Sequence, residues 1–354
     1  MIDRRSFLRR SGAGLLGVAA AGAGADLLAA CGSSASSSTP AAASSSSSPA
    51  LAPVSVQLSW VFDAEFSGYY IADTLGYFAK NGLRVSMTPG GPNVTVEQVV
   101  ISGRATAGLD SVDFITAAKN QGADLVIIGA QFQRNPLGVL SLKKSNISSP
   151  KDLVGKNLGV PSGEYAQIKA FLQLNKINPA DVKFVSYGTD PTPVANGSVD
   201  AAIAFTTTDP FLLQEKGYET ATFTLADYGY NVYNDCIFVT RDTLNAKRAE
   251  LVSLLKAVIL GWQYDIAHPG YVVKLITGQY GKALGLSDNS QKFQNDAQIP
   301  LMQSAATKTA GLFAMSADDI AVNMETLVKA GIKPDKSIFD TSLLEEVYHG
   351  ASHL

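Results

Sequence analysis

Val54–Thr88 reads VSVQLSWVFDAEFSGYYIADTLGYFAKNGLRVSMT, and this stretch decides the fold. Val54 to Trp60 alternates apolar and polar positions, the period of a half-buried strand. Tyr69 to Asn81 reads as a helix closed by Gly82, the residue type favoured just beyond a helix end. Arg84 to Thr88 returns to the strand pattern, and Gly90-Gly91-Pro92-Asn93 is a turn. Thr95 with Gln98 three residues on predicts a capping box for the next helix, and Asp124 to Ala130 is an apolar run suited to one buried parallel strand. Strand, helix, strand, helix predicts a parallel α/β sheet.

A second unit of the same kind begins near Leu140. Ser149-Pro150-Lys151-Asp152 is a helix start, Lys156 to Val160 a strand, and Ser162-Gly163-Glu164 opens a helix running through Leu174. Val182 to Tyr187, a helix from about Thr192, and Ala201 to Phe205 repeat the rhythm. Asp235 to Thr240 then returns the chain to the first unit, and Ala246 to Ala267 is a long helix stopped at His268-Pro269-Gly270. The chain thus crosses twice between two α/β lobes, giving a two-stranded hinge. Residues 53–139 and 237–354 form lobe 1 and residues 140–236 lobe 2.

The residues before this unit read as an address. Arg4-Arg5-Ser6-Phe7-Leu8-Arg9 resembles the bacterial twin-arginine export motif, and Gly12 to Ala25 is too short and too rich in Ala and Gly to span a bilayer. Leu28-Ala29-Ala30-Cys31 looks like a lipobox, whose cysteine becomes the lipidated first residue of the mature chain. Residues 1–30 are therefore a signal peptide, and the chain is expected outside the cell, lipid-anchored to the outer face of the bacterial cytoplasmic membrane. Gly12-Ala13-Gly14-Leu15-Leu16-Gly17 fits a dinucleotide fingerprint but follows no strand, so no nucleotide site is assigned to it. Residues 31–52 are rich in Ser and Ala, without charge or aromatic side chains, and are expected to be a flexible tether of roughly 25 Å span.

Composition narrows the function. The chain has 354 residues, 28 basic against 31 acidic side chains, two cysteines and three histidines. Removing residues 1–30 takes away four arginines and two aspartates, leaving a more acidic remainder with no footprint for nucleic acid. With Cys31 acylated, Cys236 has no disulfide partner, and its reading is a buried hydrophobe. His268, His349 and His353 give neither a Cys–His pair nor a metal cluster, so no metal and no cofactor are expected.

Leu58-Ser59-Trp60, Tyr70-Ile71-Ala72, the segments 76–85 and 103–108, and Ser149 to Lys156 resemble, by their order and spacing, solute-binding proteins of ABC importers. Within these the resemblance is to the group related to thiamine pyrimidine synthase, which includes binders of thiamine-pyrimidine precursors and of riboflavin. It implies a type II periplasmic binding fold, a ligand in the cleft between the lobes, and a permease and ATPase as partners. It also implies that the first strand leads into a ligand-lining segment, which holds Trp60, Phe62, Glu65 and Phe66. In the pyrimidine binders an acid stands at the position of Asp235, where it would accept hydrogen bonds from the ligand. In the synthase a lysine carries pyridoxal phosphate, a histidine is consumed and a cysteine-rich run accompanies iron. Those positions fall here on Asp110, Phe114 and the run Tyr230 to Asn234, so the resemblance implies a binder and not an enzyme.

The strand-end loops supply the remaining candidates. Asn93, Asp110 and Ser111 face the cleft from the first unit, with local capping as the competing role, and Gln131 is grouped with them. Ser162, Gly163 and Glu164 offer free backbone N–H groups at a helix start, although Glu164 argues against a strongly anionic ligand. Phe205 ends a second-unit strand, and Tyr230 and Tyr233 cluster ahead of Asp235. Trp60 suits stacking on a flat ring. A sulfonate- or nitrate-type ligand would ask for a cationic cradle, for which Arg134 is the one obvious candidate. The aromatic and acidic set favours a neutral or weakly cationic heterocycle.

Overall fold

The computed structural model describes residues 50–188 and 190–354. The twin-arginine segment, Cys31 and nearly all of the tether lie outside the described residues. Two five-stranded sheets organise the rest. The first has the order β2-β1-β3-β10-β4, from β1 (Ala52–Gln57), β2 (Leu83–Thr88), β3 (Ala107–Asp110), β4 (Leu125–Phe132) and β10 (Asn234–Thr240). The second has the order β7-β6-β8-β5-β9, from β5 (Leu137–Leu142), β6 (Asn157–Val160), β7 (Lys183–Ser186), β8 (Ala201–Phe205) and β9 (Thr220–Thr224).

The expectation of purely parallel sheets is corrected. β1 pairs in parallel with β2 and β3, and β6 with β7 and β8. β10, however, runs antiparallel to both β3 and β4, and β5 runs antiparallel to both β8 and β9. These are the strands at which the chain changes sheets, and a strand that arrives without a crossover helix is not held to the parallel direction. The crossings occupy residues 133–136 and 225–233, so both fall a few residues ahead of the boundaries at 140 and 237. β4 and β5 are buried along their whole lengths, the pattern of strands covered on both faces.

The helices also depart from expectation in detail. The helix expected over 69–81 is two, Ser67–Thr74 and Tyr77–Lys80, because Gly76 between them takes a left-handed conformation (φ 71°). Thr95 caps the helix Val96–Ile101 with its backbone alone, so the capping box expected from Gln98 does not form. Ser149 does open a helical turn, with Asp152 Oδ2 accepting from its N–H at 2.9 Å, but that turn is a single short 3₁₀ piece. The long helix spans Arg248–Ala267 and buries Leu251, Leu254, Leu255, Val258 and Trp262 at helical spacing against helix Ser67–Thr74. Contact is closest at two glycines: a Cβ on Gly261 would stand 1.9 Å from the Gly68 carbonyl oxygen, and one on Gly68 would stand 2.3 Å from the Trp262 ring. Helix Ser67–Thr74 is thereby seated with the turn that precedes it, and that turn faces the gap between the sheets.

Candidate functional site

A cavity lies between the two sheets, lined from the carboxyl ends of β1, β2 and β3 on one side and of β6, β7 and β8 on the other, where ligands of open α/β sheets sit. The first side supplies Ser59, Trp60, Asp63, Glu65, Glu97, Asp110, Ser111 and Phe114. The second supplies Gly163, Glu164, Gln167, Phe205, Thr208 and Asp209. No Lys, Arg or His is among the lining residues. Arg134, the candidate cation, instead pairs with Asp227, both about half exposed, and does not line the cavity.

The turn carrying Asp63 and Glu65 is fixed from three directions. Asp63 Oδ1 accepts from the Glu65 N–H at 2.9 Å, making Asp63 the cap of the 3₁₀ turn Ala64–Phe66. Helix Asp288–Gln298 presses an amide-bearing face onto it. Gln291 Oε1 accepts from the Ala64 N–H at 2.8 Å, Gln298 Nε2 donates to the Ala64 carbonyl at 2.5 Å, and Asn295 Oδ1 accepts from Ser67 Oγ at 3.0 Å. From the sheet side, Gln131 Nε2 donates to the Glu65 carbonyl at 2.8 Å. Trp60 is placed by Gly90, whose N–H donates to the Trp60 carbonyl at 2.7 Å and whose missing Cβ would otherwise stand 2.4 Å from the Ser59 carbonyl oxygen.

The carboxyl groups form linked sets. Ser59 Oγ lies 2.7 Å from Asp235 Oδ1 and 3.0 Å from Glu65 Oε1, while Gln131 Nε2 reaches Asp235 Oδ2 at 3.2 Å. Burial, with the nearby charges of Asp235 and Asp63, holds Glu65 well above the usual carboxyl range. Asp235 rises only to about 6, because hydrogen bonds from Ser59 and Glu65 offset its burial. Glu65 therefore holds its proton to higher pH than Asp235 does. Burial raises Asp63 to about 7, and it also raises both members of the Glu97–Asp110 pair, in which the Glu97 charge raises Asp110 further while a hydrogen bond from Asp110 lowers Glu97. Across the cavity burial lifts Glu164 to about 8 and Asp209 to about 7. Behind this wall Asp113 accepts from Ser111 Oγ, from Gln167 Nε2 at 2.7 Å and from the Tyr230 hydroxyl at 2.6 Å, tying the two sides together.

Of the residues proposed from sequence, Trp60, Glu65, Asp110, Ser111, Gly163, Glu164 and Phe205 line the cavity. The others do not. Phe62 stacks edge-on with Tyr70 and Tyr280, and Phe66 is core. Asn93 points outward between two lining residues, and Ser162 is exposed. Tyr230 spends its hydroxyl on Asp113, and Tyr233 is core. Gln131 and Asp235 stand one layer behind the wall, both fully buried. A lone strand residue looks the same from sequence whether its side chain enters the cleft or the sheet, so the sequence does not sort these positions. Among the described residues Asp235 is also one of five non-glycine residues with left-handed backbone (φ 46°), as suits the crossing strand where a ligand pocket meets the hinge.

Missed were Asp63, Glu97, Phe114, Gln167 and Asp209. Glu97 sits in a first turn where an acid is ordinarily read as a partner of the helix dipole, which masks a role in a cavity. Cys236 is buried, unpaired and pushed up by burial, matching its reading as a hydrophobe. Among the described residues no group of three or more His, Cys, Asp or Glu side chains has the arrangement of a metal site, and no helix is long and apolar enough to cross a membrane.

Comparison with known proteins converges on the same architecture. The chain is 27% identical to a riboflavin-binding protein of Chloroflexus aurantiacus over 75% of its length and 77% of the relative's. It is 24% identical to a formylaminopyrimidine-binding protein of Halalkalibacterium halodurans, over 72% and 74% of the two chains. A 4-amino-5-hydroxymethyl-2-methylpyrimidine phosphate synthase of Legionella pneumophila is 25% identical over 63% of this chain and 72% of its own. Among solved structures, the alkanesulfonate-binding protein of Xanthomonas axonopodis superposes with a TM-score of 0.59 at 15% identity, covering 82% of this chain and 96% of that one, which establishes the periplasmic binding fold. Residues 63–271 match the family model described as NMT1/THI5 like, and the chain belongs to that family.

Proposed function

We propose that the chain is the extracytoplasmic solute-binding component of an ABC importer and captures a small planar heterocycle, a thiamine-pyrimidine precursor or a riboflavin-like compound, between its two lobes. The observation that carries this reading is a cavity at the strand ends that sets Trp60, Phe114 and Phe205 among carboxyl groups and no cation. The relatives named for binding riboflavin and formylaminopyrimidine support it. Trp60, Glu65, Asp110, Ser111, Gly163, Glu164 and Phe205 are the proposed contacts. An oxyanion ligand is disfavoured because the lining sets six carboxyl groups around it and no basic side chain. Catalysis is disfavoured because Asp110 and Phe114 stand where the synthase resemblance asks for lysine and histidine. Cys31 is the proposed lipid attachment point, and permease and ATPase subunits the proposed partners.

Native mass spectrometry and absorption of the purified protein, followed by calorimetric titration with a thiamine-pyrimidine precursor, riboflavin and an alkanesulfonate, test the reading. Tight alkanesulfonate binding without binding of either ring compound overturns it. Incubation with pyridoxal phosphate and ferrous iron yields no pyrimidine product, and Cys31→Ser moves the protein from the membrane to the soluble fraction.

A further inference from the structure

Closing a cavity over carboxyl groups has an electrostatic cost that something must offset. Asp63, Glu65, Glu97, Asp110, Glu164 and Asp209 all face this space, with no basic side chain among the lining residues. Protonation answers part of the cost, but a carboxyl pair that shares one proton still carries charge. Three lining acceptors are left open as well, Glu164 Oε2 and two on nearly fully buried side chains. Glu97 is 5% exposed and Gln167 3% exposed, and Glu97 Oε1 and Gln167 Oε1 have no hydrogen-bond partner. Both residues line the cavity, Glu97 from the first side beside Asp110 and Gln167 from the second side beside Glu164. Buried acceptors without donors are costly, so this end of the cavity asks for N–H groups. A metal ion would need several of these oxygens converging on one point, and no such group exists among the described residues. Charge spread over a planar group fits the dispersed acids and the neighbouring aromatic rings Trp60 and Phe114.

We infer that the ligand is a planar organic cation whose amidine-type N–C–N edge donates to Glu97, Asp110 and Gln167 Oε1, with Glu164 closing over the charge from the second lobe. The inference rests on the proposed reading of a planar ligand and divides its two candidates. A 4-aminopyrimidine protonated at N3, the ring nitrogen next to the amino-bearing carbon, carries such an edge, whereas riboflavin is neutral and has none.

Calorimetric titration of the chain carrying Cys31→Ser with benzamidine, benzamide, riboflavin and ethanesulfonate tests it, since benzamidine and benzamide share shape and differ in charge. Benzamidine is expected to bind at least about tenfold tighter than benzamide, and Glu97→Gln and Asp110→Asn to abolish that preference. Glu164→Gln, in a wall position at a helix start, reduces the preference and serves if a first-lobe variant does not fold. Riboflavin binding with equal or no affinity for the two benzene compounds overturns the inference and leaves the planar reading standing. Ethanesulfonate binding alone overturns both. Absence of benzamidine binding overturns the inference whatever the other probes do.

Discussion

The turn Asp63–Ser67 is held between two surfaces of opposite chemistry. Behind it, helices Ser67–Thr74 and Arg248–Ala267 meet at Gly68, Gly261 and Trp262 with no room for one more carbon. In front of it, the cavity wall collects carboxyl groups that burial holds above their usual range. The first surface stabilises the fold by close packing, and the second costs stability in return for a place to put a ligand. Substitutions behind the turn should therefore act on unfolding, and substitutions in front of it on affinity and pH response.

The sharpest way to break that division is Gly261→Ala. Its Cβ would meet a backbone oxygen at 1.9 Å, not the end of a flexible side chain, so the helices must separate. Overpacking of this kind costs about 1–3 kcal/mol or more, and the loss should appear as a lower urea midpoint with benzamidine affinity changed far less. An unchanged midpoint would mean that the two helices are not seated as tightly as the glycines indicate.

Acidity gives the second largest effect. Asp235 at about 6, Asp63, Asp209 and Asp265 at about 7, and Glu164 at about 8 all bind protons more tightly in the folded chain than unfolded carboxyls do, at roughly 3.9–4.3. Between those limits the folded state holds more protons, so stability is complete below about pH 4 for these groups and falls as pH rises through 6 to 8. Asp152, Asp190, Asp227 and Asp335 have lowered values and act in the opposite sense, but only at more acid pH. The ligand-free protein should thus melt at a lower temperature at pH 8 than at pH 5, and Glu164→Gln should flatten part of that slope. A melting temperature that rises toward pH 8 would contradict the charge-strained wall.

What could be read in advance follows the same division. Strand and helix periodicity disclosed the two α/β units, because burial of a face leaves a repeating pattern in the chain. The direction of β10 and β5 was not legible, since antiparallel pairing is set by which sheet a strand enters and leaves no mark on its own residues. Lining residues were legible where a strand end carried an aromatic or an acid, as with Trp60, Asp110 and Phe205. Asp63 and Asp209 open helical turns and so read as ordinary caps or first-turn acids. One support does carry a signal in the sequence: Gln291, Gln294, Asn295 and Gln298 repeat at helical spacing, an amide stripe that the structure buries.

Trp60 and Phe62 make a smaller test on neighbouring aromatics. Trp60 lines the cavity, whereas Phe62 packs on Tyr70 and Tyr280. Stacking contributes about 0.5–1.5 kcal/mol beyond area burial, so Trp60→Ala should weaken a planar ligand by roughly 2- to 12-fold and leave the melting temperature nearly unchanged. Phe62→Ala should do the reverse. Trp262, the other tryptophan, is wholly buried against Gly68, so quenching by ligand should vanish in Trp60→Phe.

The smallest expected change is at Asp235, and it separates a contact from a support. The resemblance to pyrimidine binders implies direct contact, for which Asp235→Asn would cost the 10- to 150-fold of a hydrogen bond to a charged group. In the structure Asp235 has no exposed surface, and its carboxylate is occupied by Ser59 Oγ and Gln131 Nε2. Asparagine tolerates the left-handed backbone at this position and keeps the shape. It removes a charge that raises Glu65, so Glu65 should ionise at lower pH than in the parent. The affinity for benzamidine near neutral pH should then move by no more than about threefold, under 1 kcal/mol. Its pH profile should shift toward acid, because a wall carboxylate becomes available earlier. A loss of tenfold or more with an unshifted profile would show that closure carries Asp235 into contact with the ligand, and would move it from the wall's support to the wall itself.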